Sequence, residues 1–135
     1  MRTAEDILRE GKTIAVVGLS PRPERDSHLV AKYLKEHGYR IIPVNPMVDE
    51  VLGAKSYPDL KAIPERVDVV DVFRKAEDVL PIVDQAIEIG ASAVWMQLGI
   101  VNEEAATRAR EAGLGVMMDL CMLIEHKRMV GEGKL

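Results

Sequence analysis

Apolar runs alternate with amphipathic stretches along the whole chain. Five short runs rich in Val, Ile or Ala predict buried strands, and they are Thr13 to Val17, Arg40 to Val44, Val67 to Val72, Ala93 to Met96 and Gly115 to Met118. Amphipathic segments between and around them predict helices at Thr3 to Arg9, Ser27 to His37, Ala76 to Ile89, Glu103 to Ala112 and Leu120 to Met129. Such alternation is typical of a parallel sheet with helices on both faces.

The pattern predicts an α/β protein with a Rossmann-like fold, in which three αβα layers enclose a five-stranded parallel sheet. With right-handed crossovers, we expect the strand order 3-2-1-4-5. A ligand crevice is then expected where the order reverses, beyond the C-terminal ends of strands 1 and 4. The segments that follow Val17, Val44, Val72 and Met96 would build the site.

Composition narrows the classes of function. The 135 residues, 47% of them hydrophobic, predict a single domain over residues 1 to 135. A net charge of -4 disfavours nucleic acids and membrane surfaces as partners, so we expect a small ligand. The charged N-terminus and the lack of a long apolar run predict a cytoplasmic protein. The single cysteine, Cys121, excludes an internal disulfide, and no metal-ligand cluster is visible.

The segment after the first strand runs from Gly18 to Ser27 and leads into a helix. A glycine at a strand end, a polar loop and a helix N-terminus bring backbone N–H groups and the positive end of the helix dipole together, which suits a phosphate. Arg22 and Arg25 add positive charge. Because only one glycine is present, this is not the GxGxxG motif, and an ordinary loop with Asp26 or Ser27 as N-cap stays open as an alternative.

The segment after the second strand disfavours NAD. An NAD site needs an acid at the end of this strand to bind the ribose hydroxyls, whereas here Val44 is followed by Asn45 and the first acid is Asp49. Asn45 either binds a sugar or phosphate or starts a turn. Lys55 adds positive charge nearby.

The third and fourth segments add aromatic and cationic side chains. Phe73, the only phenylalanine, is either a core residue or one wall of a base pocket, and Arg74 is free to meet a phosphate. Trp95 is expected in the core. Gln97 and Gly99 follow the fourth strand, where Gly99 lets the backbone approach a ligand.

Together these segments resemble the CoA-binding domain family, which is similar to the N-terminal domain of the succinyl-CoA synthetase α subunit. The resemblance runs from Ile14 to about His126. It rests on AVVGLSPRPERDSHLVAKYL at 15 to 34, HGYRIIPVNP at 37 to 46, the run from Gly53 to Leu60, IPERVDVVDVFRKAEDV at 63 to 79, and GASAVWMQLGIVNEEAATRAREAGLGVMMDLCMLIEH at 90 to 126.

The resemblance implies a CoA molecule that lies across the C-terminal edge of the sheet. Its phosphates would bind Ser20, Arg25 and Ser27, while Asn45, Lys55 and Arg74 would serve the ribose or its phosphate. Val72 and Phe73 would lie on the adenine side, and the pantetheine arm would follow Met96 to Gly99. The full set of expected CoA-binding residues is Gly18, Ser20, Arg25, Ser27, Val44, Asn45, Lys55, Val72, Phe73, Arg74, Gln97, Gly99 and Cys121.

Cys121 is the residue on which a sharper mechanism depends. It begins the last predicted helix, where the dipole favours a thiolate, so a CoA thiol that reached it would exchange into a mixed disulfide. A buried structural cysteine is the alternative. Family members commonly read Asp-Arg-Cys where this chain reads Asp119-Leu120-Cys121, and Leu120 removes a positive charge that would activate the thiol.

We therefore expect a non-catalytic CoA-binding carrier, sensor or regulatory module without catalytic residues, because the histidines have no visible triad partner. An enzyme that uses acyl-CoA with Cys121 as nucleophile is one alternative. A module for another adenine nucleotide is the other. The acyl group, the pathway, the oligomeric state and any protein partner stay open.

Overall fold

A computed structural model describes residues 2–135. The helices are α1 (Ala4–Glu10), α2 (Asp26–Glu36), α3 (Val79–Glu88), α4 (Glu103–Glu111) and α5 (Met122–Gly131). The strands are β1 (Thr13–Val17), β2 (Arg40–Val44), β3 (Glu50–Val51), β4 (Ala54–Lys55), β5 (Val69–Val72), β6 (Ala93–Met96) and β7 (Gly115–Met117). All the predicted helices and strands are present. The hairpin of β3 and β4 and the 3₁₀ turns Leu60–Ala62 and Ala76–Asp78 were not predicted.

The main sheet has five strands in the order β2-β1-β5-β6-β7, and every neighbouring pair is parallel. Helices cover both faces. One face packs under α3 and α4, and the other under α1, α2 and α5. Both faces of each strand are therefore buried, which is the reason for its continuous apolar sequence. The expected three-layer Rossmann-like fold is confirmed.

Beyond β2, Tyr57 forms a one-residue parallel bridge to Val44. The Tyr57 N–H donates to Pro43 O at 3.0 Å, and the Asn45 N–H donates to Tyr57 O at 2.9 Å. If this bridge is counted as a short third strand of the sheet, and the sheet strands are numbered along the chain, their order becomes 3-2-1-4-5-6, which contains the predicted 3-2-1-4-5. One assignment is corrected. Val69–Val72 was expected beyond β2, whereas it lies beside β1 on the other side.

The correction moves the expected crevice. The order reverses between β1 and β5, so the crevice opens beyond Val17 and Val72 and not beyond Val17 and Met96. A single-residue bridge leaves no apolar run in the sequence, and this is why the third strand was missed.

Two clusters of buried side chains form the core. Strand residues facing α3 and α4 include Ala15, Ile42, Val70, Val94 and Val116. Those facing α1, α2 and α5 include Ile14, Val16, Ile41, Val69 and Trp95. Trp95 is fully buried and its Nε1 donates to Leu120 O at 2.8 Å, so its predicted place in the core is confirmed. Consecutive residues of one strand alternate between the clusters, as the pleat of a strand requires.

A candidate ligand-binding edge built from three pockets

Three neighbouring pockets lie at the C-terminal ends of the parallel strands. The loop pocket, of about 290 Å³, is lined by Gly18, Ser20, Arg25, Asp26, Ser27 and Phe73. The Arg74 pocket, of about 340 Å³, includes Val17, Val44, Pro46, Leu60, Arg74 and the acidic Asp59, Glu77 and Asp78. The Cys121 pocket, of about 310 Å³, includes Asp26, Leu29, Phe73, Gln97, Leu98, Cys121 and Ile124. Phe73 and Asp26 line both the loop pocket and the Cys121 pocket, so these two are contiguous.

Gly18 joins the ends of three strands. Its φ is +90°, and its N–H donates to Val44 O at 2.9 Å. A Cβ at this position would lie 2.5 Å from Phe73 O and 3.1 Å from Arg74 Cδ. Only glycine tolerates both this φ and this close approach. The contact holds the loop after β1 against the residues that follow β5.

The loop between Gly18 and α2 is folded on itself. The Ser20 N–H donates to Ser27 Oγ at 3.0 Å, and the Arg22 N–H donates to Ser20 Oγ at 3.1 Å. Arg22 forms an ion pair with Glu24 at 3.4 Å. Arg25 is exposed and, within residues 2–135, has no ion-pair partner. The loop therefore presents one free guanidinium.

Helix α2 begins without a side-chain cap. The alternative in which Asp26 or Ser27 caps the helix is wrong, because the helix starts at Asp26 with Arg25 as N-cap and no side chain accepts from its first turn. Ser27 Oγ is instead bonded to the loop. The first N–H groups of α2 and the positive end of its dipole therefore face the loop pocket without a side-chain acceptor, which suits an anion.

The Arg74 pocket combines an apolar floor with charged side chains. Val17 and Val44 are buried at its base. Arg74 is exposed and has no ion-pair or hydrogen-bond partner in the part of the chain that the structure describes. A flat base could lie on the apolar floor, carboxylates could accept from its amino group, and the guanidinium could bind a phosphate.

The Cys121 pocket is mostly apolar. Leu29, Leu98 and Ile124 on its walls are 50%, 60% and 51% exposed. Cys121 is half-buried and is the N-cap of α5, so it begins the last helix as predicted. Its chain segment is anchored on one side by the hydrogen bond from Trp95 to Leu120, which holds the cysteine at the pocket wall.

A buried polar pair lies behind the Cys121 pocket. Gln97 is 3% exposed, and its Nε2 donates to Asp71 Oδ1 at 2.5 Å. Asp71 is fully buried in β5, and within residues 2–135 its Oδ2 has no hydrogen-bond partner. Burial raises the pKa of Asp71 to about 7, although the hydrogen bond from Gln97 opposes the shift.

The raised pKa of Asp71 predicts a pH-dependent stability. The folded protein holds this proton more tightly than the unfolded chain, where the pKa is near its ordinary value of 3.8. Stability is therefore expected to fall as pH rises from about 4 to about 7 and to stay lowered above that range. Asp71→Asn removes the charge, so we expect the variant to gain about 2 kcal/mol over wild type at pH 8 and little at pH 4.5.

Urea unfolding at both pH values measures this difference. Asp49→Asn, at an exposed position, serves as the control and is expected to leave the pH dependence unchanged. An equal effect of Asp71→Asn at the two pH values would contradict the prediction.

The structure brings most of the expected CoA-binding residues together at the pocket walls. These are Gly18, Ser20, Arg25, Ser27, Val44, Phe73, Arg74, Gln97 and Cys121. Four others lie outside the walls. Val72 is fully buried, Gly99 is exposed, and Lys55 Nζ lies 5.2 Å from the centroid of the Tyr57 ring.

Asn45, the fourth of these, serves the structure of the loops. Its Nδ2 donates to Leu19 O at 3.0 Å, and its Oδ1 accepts from the Met47 N–H at 2.9 Å. These bonds favour the interpretation of Asn45 as a turn initiator.

Sequence reasoning missed Asp71 and the apolar walls of the Cys121 pocket. The predicted strand Val67 to Val72 contains two acids, Asp68 and Asp71, and an acid inside an apolar run was an available signal. Leu29, Leu98 and Ile124 carried no comparable signal, because single exposed apolar residues are common on protein surfaces.

None of the helices within residues 2–135 combines the length and the apolar character needed to cross a membrane.

Comparison with known proteins identifies the family. A family model described as CoA binding domain matches residues 12–127. The chain is 47% identical to the uncharacterized protein YneT of Bacillus subtilis, and the match covers 90% of each chain. A hypothetical protein from Pyrococcus horikoshii OT3 has the same fold with a TM-score of 0.91 and 49% identity, over 96% of this chain and 94% of that one.

Longer proteins contain a similar segment. The ADP-forming acetate–CoA ligase II of Archaeoglobus fulgidus is 31% identical over 95 residues, which are 68% of this chain but 14% of the ligase. The order of motifs, the Rossmann-like sheet and these similarities agree, and the protein belongs to the CoA binding domain family.

Proposed function

We propose that this protein binds coenzyme A non-catalytically, as a carrier, sensor or regulatory module. The observation that carries the proposal is the row of pockets from Arg74, past the uncapped start of α2, to Cys121. The chemical groups of CoA follow the same order as these pockets. An adenine base and a ribose phosphate are joined by a pyrophosphate to the pantetheine arm, which ends in a thiol. Membership of the CoA binding domain family supports this ligand.

The pyrophosphate is assigned to the loop pocket. The first N–H groups of α2 and the Arg25 guanidinium would bind its oxygens, with Ser20 and Ser27 shaping the loop. The adenine would lie over Val17 and Val44, and Arg74 would bind the 3′-phosphate. The pantetheine arm would pass Phe73 into the Cys121 pocket.

A binding role is favoured over turnover by the environment of Cys121. The residues that line its pocket include no histidine, lysine or arginine to serve as base or to stabilise an oxyanion. The ligase activity of the Archaeoglobus relative belongs to a protein of which this chain matches 14%, so it is not transferred here.

Cys121 would exchange with CoA disulfide. The Cys121 thiolate attacks one sulfur of the disulfide, an S–S bond forms between Cys121 and CoA, and the second CoA leaves as its thiolate. CoA disulfide is the oxidant in this step. The product is a mixed disulfide that a reducing thiol reverses, and it would make occupancy of the site sensitive to redox conditions.

Calorimetric titration of nucleotide-free protein at fixed salt tests the proposal. We expect micromolar or tighter binding of CoA, weaker binding of dephospho-CoA, which lacks the 3′-phosphate, and little binding of NADPH. Equal binding of NADPH would instead indicate a general adenine-nucleotide module. Absence of any heat with CoA would contradict the proposal.

Arg74→Ala sharpens the titration. Loss of one charge-assisted hydrogen bond is expected to weaken CoA binding about tenfold and to leave dephospho-CoA binding nearly unchanged. Arg110→Ala is the matched control, because Arg110 lies beside the start of β7 at the opposite edge of the sheet. An equal loss in the two variants would indicate a nonspecific charge effect and remove Arg74 from the site.

A further inference from the structure

Gln97 offers one unused acceptor atom to the Cys121 pocket. Its Nε2 is bonded to Asp71, whereas no donor within residues 2–135 is bonded to its Oε1. Gln97 lines the pocket among mostly apolar side chains such as Phe73, Leu98 and Leu123. Oε1 is not among the buried atoms that lack a partner, so it is open to the pocket. A ligand that fills the pocket must therefore supply a donor, because an acceptor that is covered without a partner is costly.

Asp71 decides which end of the Gln97 amide faces the pocket. An ionised carboxylate only accepts hydrogen bonds, so it attracts Nε2 and turns Oε1 away from itself. A protonated carboxyl can donate to Oε1, and the amide would then turn and present its NH₂ group to the pocket.

Within residues 2–135, no side chain besides Gln97 is bonded to the Asp71 carboxyl. Its neighbours across the sheet are Val16 on β1 and Trp95 on β6, and neither side chain titrates. The cluster on this face, to which α1, α2 and α5 contribute, is mostly apolar, and its titratable members are Tyr33, Tyr39 and Cys121. The titratable groups on the pocket wall are Cys121 and the exposed Asp26. Only burial and the bond from Gln97 shift the pKa of Asp71.

We propose that Asp71 is a positioning residue that turns Gln97 Oε1 toward the Cys121 pocket, where it accepts a hydrogen bond from an N–H or S–H group near the thiol end of the ligand arm. The inference rests on the proposed CoA-binding function. Gln97 would thereby determine which ligands fit the pocket. A ligand arm with only acceptor atoms there would leave Gln97 Oε1 and its own acceptors without hydrogen bonds.

This arrangement couples binding to ionisation. The ligand binds the state in which Asp71 is ionised, so at pH 7 binding must expel the proton from the protonated fraction. A fraction of a proton is expected to leave for each CoA bound, since the pKa is raised to about 7. A merely structural Asp71 would release none.

Calorimetry at pH 7 in two buffers of different ionisation enthalpy measures this proton release. Dephospho-CoA is titrated beside CoA, because its lack of a 3′-phosphate removes one titrating group from the ligand. We expect Asp71→Asn to bind CoA within about threefold of wild type, since the amide oxygen of the new side chain would still accept from Gln97. With dephospho-CoA, which lacks the titrating 3′-phosphate, we expect the variant to release no proton. Asp49→Asn, an exposed carboxylate outside the three pockets, is the control and should release protons as wild type does.

Gln97→Met is the second test variant. It keeps the volume, removes the acceptor and is expected to weaken CoA binding about fivefold and to abolish the proton release. Equal proton release by wild type and Asp71→Asn, with CoA still bound tightly, would overturn this inference and leave the proposed function intact. Failure of wild type to bind CoA would overturn both.

Discussion

Gly18→Ala is expected to lower the free energy of unfolding by about 3 kcal/mol and, in the fraction that folds, to weaken CoA binding about tenfold or more. The added Cβ would lie 2.5 Å from Phe73 O, a backbone atom that cannot turn aside. Relief of this clash must separate the loop after β1 from the residues after β5. That movement displaces Arg25 and Arg74, the two guanidinium groups proposed to bind phosphate.

Gly113→Ala is the matched control for this substitution. Gly113 has the same φ of +90°, but a Cβ there would meet no atom within 4 Å. We therefore expect it to cost only the strain of the left-handed backbone, about 1 kcal/mol, with CoA affinity unchanged. Urea unfolding and calorimetry measure the two effects. Equal losses in both variants would show that backbone conformation alone, and not the close approach, explains Gly18.

Incubation with CoA disulfide is expected to add one CoA to wild type and none to Cys121→Ser. Cys121 is the only cysteine, so a mass increase in the intact protein has a single possible site. The pocket that would hold the arm brings the reacting sulfurs together, which raises their effective concentration. Intact-protein mass spectrometry before and after reduction measures the adduct and its reversal.

Oxidised glutathione controls for simple thiol exposure. It carries out the same exchange but lacks the nucleotide that the loop pocket and the Arg74 pocket would bind. We expect CoA disulfide to react about tenfold faster or more, and adenosine 3′,5′-bisphosphate, the nucleotide part of CoA without the thiol, to slow the reaction by competition. Equal rates with both disulfides would show a merely exposed cysteine and contradict a templated exchange.

Most of the fold could be predicted from the sequence because strands and helices each have a characteristic pattern of apolar residues. Valine-rich runs such as Val69–Val72 are buried on both faces, and the helices between them show one apolar side. Asn102 stands directly before the predicted helix Glu103 to Ala112, a place that favours an N-cap, and its Oδ1 accepts from the Ala105 N–H at 3.0 Å. Such local signals survive folding because they involve residues a few positions apart.

Part of the candidate site could also be predicted from the sequence. In a parallel sheet the residues that follow each strand meet at one edge, so Gly18, Phe73, Arg74 and Gln97 were expected near each other, and all line the pockets. The contacts of Asn45 and Lys55 could not be predicted, because a polar side chain in a loop binds whichever partner lies closest. For Asn45 that partner is Leu19 O, 26 positions away along the chain.

The sequence by itself determined the class of fold, the family and the edge of the sheet where the candidate site lies, since these follow from periodicity and the order of motifs. Only the tertiary structure decided which strand lies beside β1, how Gly18 meets Phe73 O, and that Asp71 is buried and accepts from Gln97. These features depend on contacts between distant segments. Their distances and solvent exposure are set by packing, which no local pattern records.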